Sequence, residues 1–335
     1  MSELVQFDLD PSIYNGAGNG LDAIYSDLEK AVRLDLRYHY SGPIGARHWL
    51  SLCNSRQYGH STLATVIEAE IPNALGVLKT FLPARHIELV SFGVGDGDID
   101  RRILRRLQEE FEGVSYVCID ISFELLRHAT AHITAECFDK MKTPVRAIWG
   151  DFTKIQFRSK PCGDSARVFS LTGFTFGNHD ESRLMETVDR SLSPGDFLFL
   201  DARLHQLGTI NGNFTDAQKW GLIDGYASDA NNRFAFGPVE LVTTSAAQDA
   251  NFGYDVNQSI TTVRNAVNVI TYCTDLHTRM RFTGEVIQNS RLDLAATTLY
   301  SYPDLVEWLS NRKLKLLWHT EANGVGLFLL SKLLS

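Results

Sequence analysis

The stretch from 86 to 204 constrains this chain more than any other part of it, because apolar runs and helical periodicity alternate there without a break. HIELVSFGVG, VSYVCIDIS, PVRAIWGDF, ARVFSLTGFTFG and DFLFLDARL read as five strands. Their apolar residues occupy consecutive positions, as in strands buried on both faces. DIDRRILRRLQEEF, FELLRHATAHITAECFDKM and DESRLMETVDRSL read as the intervening helices. This alternation predicts an α/β fold in which helices cover both faces of a parallel sheet. The C-terminal run YPDLVEWLSNRKLKLLWHTEANGVGLFLLSKL predicts one more helix and an antiparallel pair of strands.

Two regions depart from the rhythm. Residues 21–36 show helical spacing of Leu, Ile, Tyr and Val, and 38–60 follow as a loop-and-helix stretch. From about 205 to 276, Asn, Thr, Asp and Gly mix with aromatic residues around one predicted helix, FTDAQKWGLIDGYASDANNRFA. Together they predict a second, smaller domain of 1–61 plus 206–276, beside a core of 62–205 plus 277–335.

The strand ends carry the chemistry. The first strand runs into Gly93-Val94-Gly95-Asp96-Gly97, with a helix starting near Asp98. Glycine there lets the backbone approach a ligand closely, a turn that dehydrogenases share. Asp120 closes the second strand, 23 residues beyond Gly97. A carboxylate at that point can accept hydrogen bonds from both hydroxyls of a ribose; its plainer reading is a cap for the helix at Phe123. The third strand ends in Gly150-Asp151-Phe152, an acid for an adenine amino group and an aromatic to lie beside the ring. Glycine turn, acid and then GDF is a methyltransferase series rather than a dehydrogenase one. Asp98, three residues after Gly95, would also face a dinucleotide's pyrophosphate, which favours positive surroundings. The expected cofactor is therefore S-adenosylmethionine. An NAD(P)-dependent oxidoreductase and a catalytically silent binding protein are the alternatives.

Other classes fit poorly. The net charge is -8 and the cations are scattered, so no basic stripe invites nucleic acid. The five cysteines form no CxxC pair, which disfavours a metal site or a disulfide framework and suits a reducing, cytoplasmic setting. No basic, apolar leader opens the sequence, and no apolar run reaches the roughly 18 residues of a bilayer span. GxSxG is absent. His128 and His132 have i,i+4 spacing but no third ligand, and read as a surface pair.

At LTGFTFGN, followed by a helix and SPGDFLFLDARL, the chain resembles the histidine-specific methyltransferase family. That family includes the ergothioneine-pathway histidine N-alpha-methyltransferase and fungal dimethylallyltryptophan N-methyltransferases. The likeness is strong at 173–178 and 193–201 and weak in the insertion. It implies a class I, Rossmann-type methyltransferase core, a smaller second domain and a substrate held between them. It also implies that Tyr40, Gly93, Gly95, Asp120, Asp151 and Phe152 touch the cofactor. Gly173 and Asn178 would hold an amino acid's carboxylate and amine, and Tyr58 and Tyr226 would line the acceptor pocket. Asn178 and Tyr226 are the candidates to orient the nucleophile. The acid that usually closes the first strand is Ser91 here, and the family's lysine in the glycine turn falls at Ile99. Where the histidine enzymes grip imidazole with Glu-x-Ser, this chain has Ala295 and Thr297, and their pocket Met falls near Val269. The expected acceptor is accordingly a tryptophan-like or other aromatic small molecule. Thr297 and Cys273 are left as polar residues to read it. The expected assembly is a monomer or homodimer, with neither membrane nor nucleic acid as partner.

Overall fold

The computed structural model describes residues 4–10, 20–30, 32–82, 86–155, 157, 165–208, 210, 214–259 and 261–332, so Cys162 lies outside the described residues. The chain begins with β1 (Val5–Leu9), α1 (Gly20–Glu29), α2 (Leu36–His39), α3 (Gly42–Cys53) and α4 (His60–Phe81). The alternating region follows as β2 (His86–Phe92), α5 (Asp98–Glu110), β3 (Gly113–Asp120), α6 (Phe123–Cys137), β4 (Val145–Trp149), β5 (Ala166–Leu171), α7 (Glu181–Ser191) and β6 (Phe197–Arg203). Then come α8 (Asp216–Ile223), α9 (Asp229–Val242), β7 (Asn251–Gln258), β8 (Val267–Arg279), β9 (Val286–Leu299), α10 (Tyr302–Ser310), β10 (Lys315–Ala322) and β11 (Val325–Ser331).

The main sheet has the order β1-β4-β3-β2-β5-β6-β11-β10. The six strands from β1 to β6 pair in parallel, and β11 enters antiparallel between β6 and β10. The five expected strands and the C-terminal hairpin are therefore present. From β2 the chain steps through β3 to β4 in one direction; from β5 it steps to β6 in the other. The order reverses between β2 and β5, and their carboxyl ends border a crevice.

The alternating pattern did not reveal three elements. Residues Val5–Leu9, expected in the smaller domain, pair with Val145–Trp149 and extend the main sheet. The sequence reading leaves 61–85 unassigned, yet α4 fills most of it. Leu63, Ile67, Ile71, Leu75 and Leu78 recur at helical spacing and pack with Ile87, Leu89 and Leu104. Pro72 sits within this helix and obscures the pattern, since proline lacks the N–H that a helix interior uses. The third is a separate antiparallel sheet, β7-β8-β9. Its strands alternate apolar with Asn, Thr and Asp, so they resemble loop composition. The expected boundary at 277 falls inside β8, and β9 pairs with β8 rather than with the core strands. Helices α1 and α9 cover this sheet through Ile24, Leu28, Ala235, Phe236 and Val239 against Leu276, Leu292 and Leu294. The single helix expected in the insertion is two, α8 and α9, because Ser228 caps the second by accepting Asn231 N–H at 3.2 Å.

No helix among the described residues is long and apolar enough to cross a membrane.

At the amino edge of the sheet, Arg167 is only 1% exposed. Its Nε donates to Glu88 Oε2 at 2.8 Å, and Asp196 Oδ2 lies 3.8 Å from the guanidinium. The rings of Phe157 and Phe169 flank it at 5.1 and 5.7 Å. Arg167→Ala leaves two buried carboxylates without their cation, and denaturant unfolding should show a loss of about 3–5 kcal/mol. Adding Glu88→Gln should recover part of that loss; a midpoint unmoved by Arg167→Ala would refute the assignment.

Candidate functional site

The β2–α5 turn is built to leave space. Gly95 has φ 57°, and a Cβ placed there would come within 3.0 Å of Trp49 Nε1. At Gly97 an added Cβ would meet the Ala129 Cβ at 2.9 Å, so the glycine lets α6 pack close. Asp120 braces the turn. Its Oδ2 accepts Gly95 N–H at 3.0 Å, and its Oδ1 accepts Ser122 N–H at 2.8 Å. Ser122 Oγ, rather than Asp120, accepts from Leu125 N in the first turn of α6, which answers the capping alternative. Burial pushes the Asp120 carboxyl up to about 6 despite the two N–H groups. Asp151, just beyond β4, accepts both Thr153 N–H and hydroxyl through Oδ1, and Lys154 Nζ lies 3.1 Å from its Oδ2.

These groups open onto one cavity of about 800 Å³ at the β2/β5 crevice. Tyr40, Gly93, Gly95, Asp120, Asp151 and Phe152 all line it, so the structure brings the six expected cofactor residues together. Trp49, His60, Asp96, Asp100, Thr175 and His179 also line it and were not singled out in the sequence. Trp49 and His60 lie outside the alternating region, and only the tertiary fold carries them to the crevice. His60 Nε2 is 3.1 Å from Asp96 Oδ2. Burial pulls the His60 imidazolium down, but the Asp96 carboxylate outweighs it and the net shift is upward. Burial holds His179 below its ordinary value, its ring edge-on to Phe152 with centroids 5.5 Å apart.

A second cavity of about 420 Å³ adjoins the first. Tyr58, Asn178, Tyr226, Val269, Ala295 and Thr297 line it, as expected of the acceptor side; Gly173 lines only the larger cavity. Leu36, Tyr40 and Asn178 border both. Val269 faces Thr297 across β8 and β9, and the hydroxyl of Thr297 donates to Asn178 Oδ1 at 2.8 Å. That leaves the Asn178 amide N–H groups as its donors. Phe234 lines this cavity too, against Tyr40 and Trp49 at 5.2 and 5.4 Å between centroids, whereas Trp220 is 66% exposed. Cys273 does not read this cavity. It shares a face of β8 with Val269 and Thr271 but lies further along the strand, where that face is buried in the core against α9.

Two residues of β6 fix the walls. Asp201 accepts the N–H groups of Gly173 and Phe174, each at 2.8 Å, and holds Phe174 at φ 63°. Arg203 places its guanidinium 4.4 Å from the Tyr58 ring, 4.2 Å from Phe174 and 5.1 Å from Tyr226, and donates to the Tyr58 carbonyl. The Tyr226 hydroxyl is buried with no hydrogen-bond partner among the described residues.

The larger cavity suits a cationic adenosyl ligand. Asp96, Asp100, Asp120 and Asp151 stand in its wall, and the indole N–H of Trp49 is buried without a partner among the described residues. Asp98 has its charge engaged by Arg101 and Arg102 at 2.6 and 2.8 Å. Arg37 and His60 pair with Asp151 and Asp96 in this wall, so four acidic groups outnumber the cations, which opposes a pyrophosphate and favours a sulfonium. His128 and His132 lie on α6, with His132 Nε2 3.7 Å from Glu136 Oε1.

Comparison with known proteins agrees with this chemistry. The family model described as histidine-specific methyltransferase, SAM-dependent, matches residues 21–219. No protein of curated function matches the chain significantly. Among solved structures, an S-adenosylmethionine-dependent methyltransferase from Clostridium acetobutylicum shares 13% identity over 93% of this chain and 98% of that one, with a TM-score of 0.40. One from Methanosarcina mazei shares 17% over 77% and 98%, with a TM-score of 0.41. The CcbJ methyltransferase of Streptomyces caelestis shares 13% over 79% and 90%, with a TM-score of 0.39. With more than half of its length matched by the family model, the chain belongs to the histidine-specific, S-adenosylmethionine-dependent methyltransferase family.

Proposed function

We propose that this methyltransferase acts on an indole-bearing amino acid or a related aromatic acceptor, methylating its amine or a ring atom. The observation that carries this reading is the second cavity's lining, in which no carboxylate appears among the described residues. An imidazole held there would find only neutral partners, such as Asn231 and the hydroxyls of Tyr226, Thr271 and Thr297, in place of a charged one, and a ring nitrogen left unpaired costs about 1–3 kcal/mol. Val269, Ala295 and Ala296 instead offer a smooth apolar wall for a bicyclic ring, whose burial is mostly hydrophobic. Asn231 donates its amide to Thr271 at 3.2 Å, so its oxygen remains to accept one N–H, as an indole would need.

In this reading the N-terminal segment and the insertion, with β9, supply the acceptor side, and the main sheet supplies the cofactor side. Tyr40, Gly93, Gly95, Asp120, Asp151 and Phe152 hold S-adenosylmethionine, with Asp120 on the ribose and Asp151 on the adenine amine. S-adenosylmethionine supplies a methyl group on a positively charged sulfur, ready for in-line displacement. The protein's part is to align the nucleophile about 3 Å from that carbon and to exclude water. Tyr40 and Asn178, bordering both cavities, mark where the two ligands meet. The Asn178 amide donors suit an acceptor carboxylate, while the unpartnered Tyr226 hydroxyl orients the amine; the Gly173 N–H, expected to share in holding the carboxylate, is already given to Asp201. Burial pushes the phenols of Tyr40 and Tyr58 above their ordinary value, so they stay protonated and donate. For an amine acceptor no general base is required, because the neutral amine attacks a sulfonium methyl unaided once its ammonium proton has gone to solvent.

Asp120→Ala should weaken S-adenosylmethionine at least tenfold, since charge-assisted hydrogen bonds are each worth about 1.5–3 kcal/mol. Calorimetric titration alongside a melting curve checks this, and an unchanged affinity refutes the ribose role. Asn178→Ala should depress kcat while leaving S-adenosylmethionine affinity within about twofold; if the two fall together, the residue belongs to the cofactor side. The acceptor is tested by comparing kcat/KM for histidine, tryptophan and 3-substituted indoles, with mass spectrometry of the products. Indoles should be preferred, and efficient histidine methylation with inert indoles would overturn the proposal.

A further inference from the structure

The carboxylate missing from the end of β2 has a neighbour that takes its place. Ser91 donates its hydroxyl to Asp100 Oδ1 at 2.6 Å. Asp100 sits in the first turn of α5, is 2% exposed, and lines the larger cavity with Gly93 and Gly95. The titratable groups that face it are Asp96 in the glycine turn and Tyr116, Cys118 and Asp120 on β3, all of them acids. The adjacent cations on α5 are engaged elsewhere, Arg101 with Asp98 and Glu136, and Arg102 with Asp98 and Glu68. A buried carboxyl in such company either keeps a proton or meets a cation brought by a ligand. Burial outweighs the lowering effect of the Ser91 and Tyr116 hydroxyls and, helped by the Asp96 and Asp120 charges, pushes it up to about 7.

We propose that Asp100, held by the Ser91 hydroxyl, anchors the ammonium of the cofactor's methionyl end, so that helix α5 supplies the carboxylate that the terminus of β2 lacks. The inference rests on the reading of the larger cavity as the S-adenosylmethionine site. It makes cofactor binding and proton release one event. Near pH 6.5 the free protein holds a proton on Asp100 in a large fraction of molecules, and the arriving ammonium displaces it. As pH rises through about 7, the carboxylate is already ionised and affinity should rise to a plateau. A merely structural Asp100, favourable at a helix start through the backbone dipole, would release no proton on binding.

Titration calorimetry of the full chain with S-adenosylmethionine at pH 6.5, in two buffers of different ionisation enthalpy, measures affinity and protons released together. The wild type should release a substantial part of one proton. Asp100→Asn should bind at least tenfold more weakly and release fewer protons. The exchanged variant Ser91→Asp with Asp100→Ser keeps one carboxylate and one hydroxyl around the same contact. It should regain affinity to within about threefold of wild type, and it serves as the readout if Asp100→Asn melts early. Wild type that fails to bind S-adenosylmethionine would overturn the cavity's assignment and this inference with it. Wild type that binds, while a folded Asp100→Asn variant binds equally and releases the same protons, would overturn this inference alone. An exchanged variant that folds but binds no better than Asp100→Asn would do the same.

Discussion

Everything that faces a ligand in this molecule depends on the reversal of strand order between β2 and β5. A parallel sheet sends every strand's carboxyl end to one edge, and connections leaving in opposite directions hold that edge open. Asp120 and Asp151 sit at or just beyond strand ends along it, Asp201 lies two residues before the end of β6, and Asp96 and Asp100 lie in the turn and helix that follow β2. Burial pushes Asp100 and Asp201 up to about 7 and Asp120 to about 6. The sign of this linkage is set by folded values above the ordinary one. The stability these acids contribute is fully present below the ordinary carboxyl value and is lost as pH rises through about 6 to 7. At neutral pH the edge is thus electrostatically strained when empty, and a positively charged ligand relieves it.

The core of the fold was legible in the sequence because buried parallel strands announce themselves as unbroken apolar runs. Gly93, Gly95, Asp120, Asp151 and Phe152 were legible for the same reason, since each follows directly from where such a strand stops. Tyr40, Gly173 and Asn178 came through the family resemblance, and the fold places them at the crevice. What stayed hidden was long-range. Nothing local in Val5–Leu9 says that its partner is Val145–Trp149. The strands of the second sheet carry Asn, Thr and Asp on alternating positions, and that composition imitates a loop until the partner strands are known. Trp49 and Phe234, far apart in the chain, form with Tyr40 and Tyr58 an aromatic cluster that only tertiary packing assembles.

β6 shows how one strand can set both cavities. Asp201 points to one side of the sheet edge and fixes the backbone turn at Gly173 and Phe174. Arg203, two residues on, gathers Tyr58, Phe174 and Tyr226 around its guanidinium. A cation over aromatic faces is worth about 0.5–2 kcal/mol each time, more where water is excluded. Phe174 belongs to both arrangements, so the wall of the cofactor cavity and the tyrosines of the acceptor cavity share a single support. No local pattern signals this, because an Arg at a strand end reads as an exposed terminus.

The edge strand β1 and the helix α1 have a consequence for how the molecule comes into being. Asp8 meets Arg146 at 2.6 Å, and the Asn289 side chain donates to the Leu28 carbonyl at 2.9 Å. The entropy of closing such loops grows only slowly with their length, yet contacts this distant delay folding. A ribosome delivers the first 60 residues long before β4, α9 and β9 exist to receive them. During synthesis that segment waits, with Phe7 and Leu9 still without the strand they pair with. The acceptor chamber needs Tyr40 and Tyr58 from the waiting segment and Ala295 and Thr297 from almost the far end. It therefore cannot be completed before β9 has emerged.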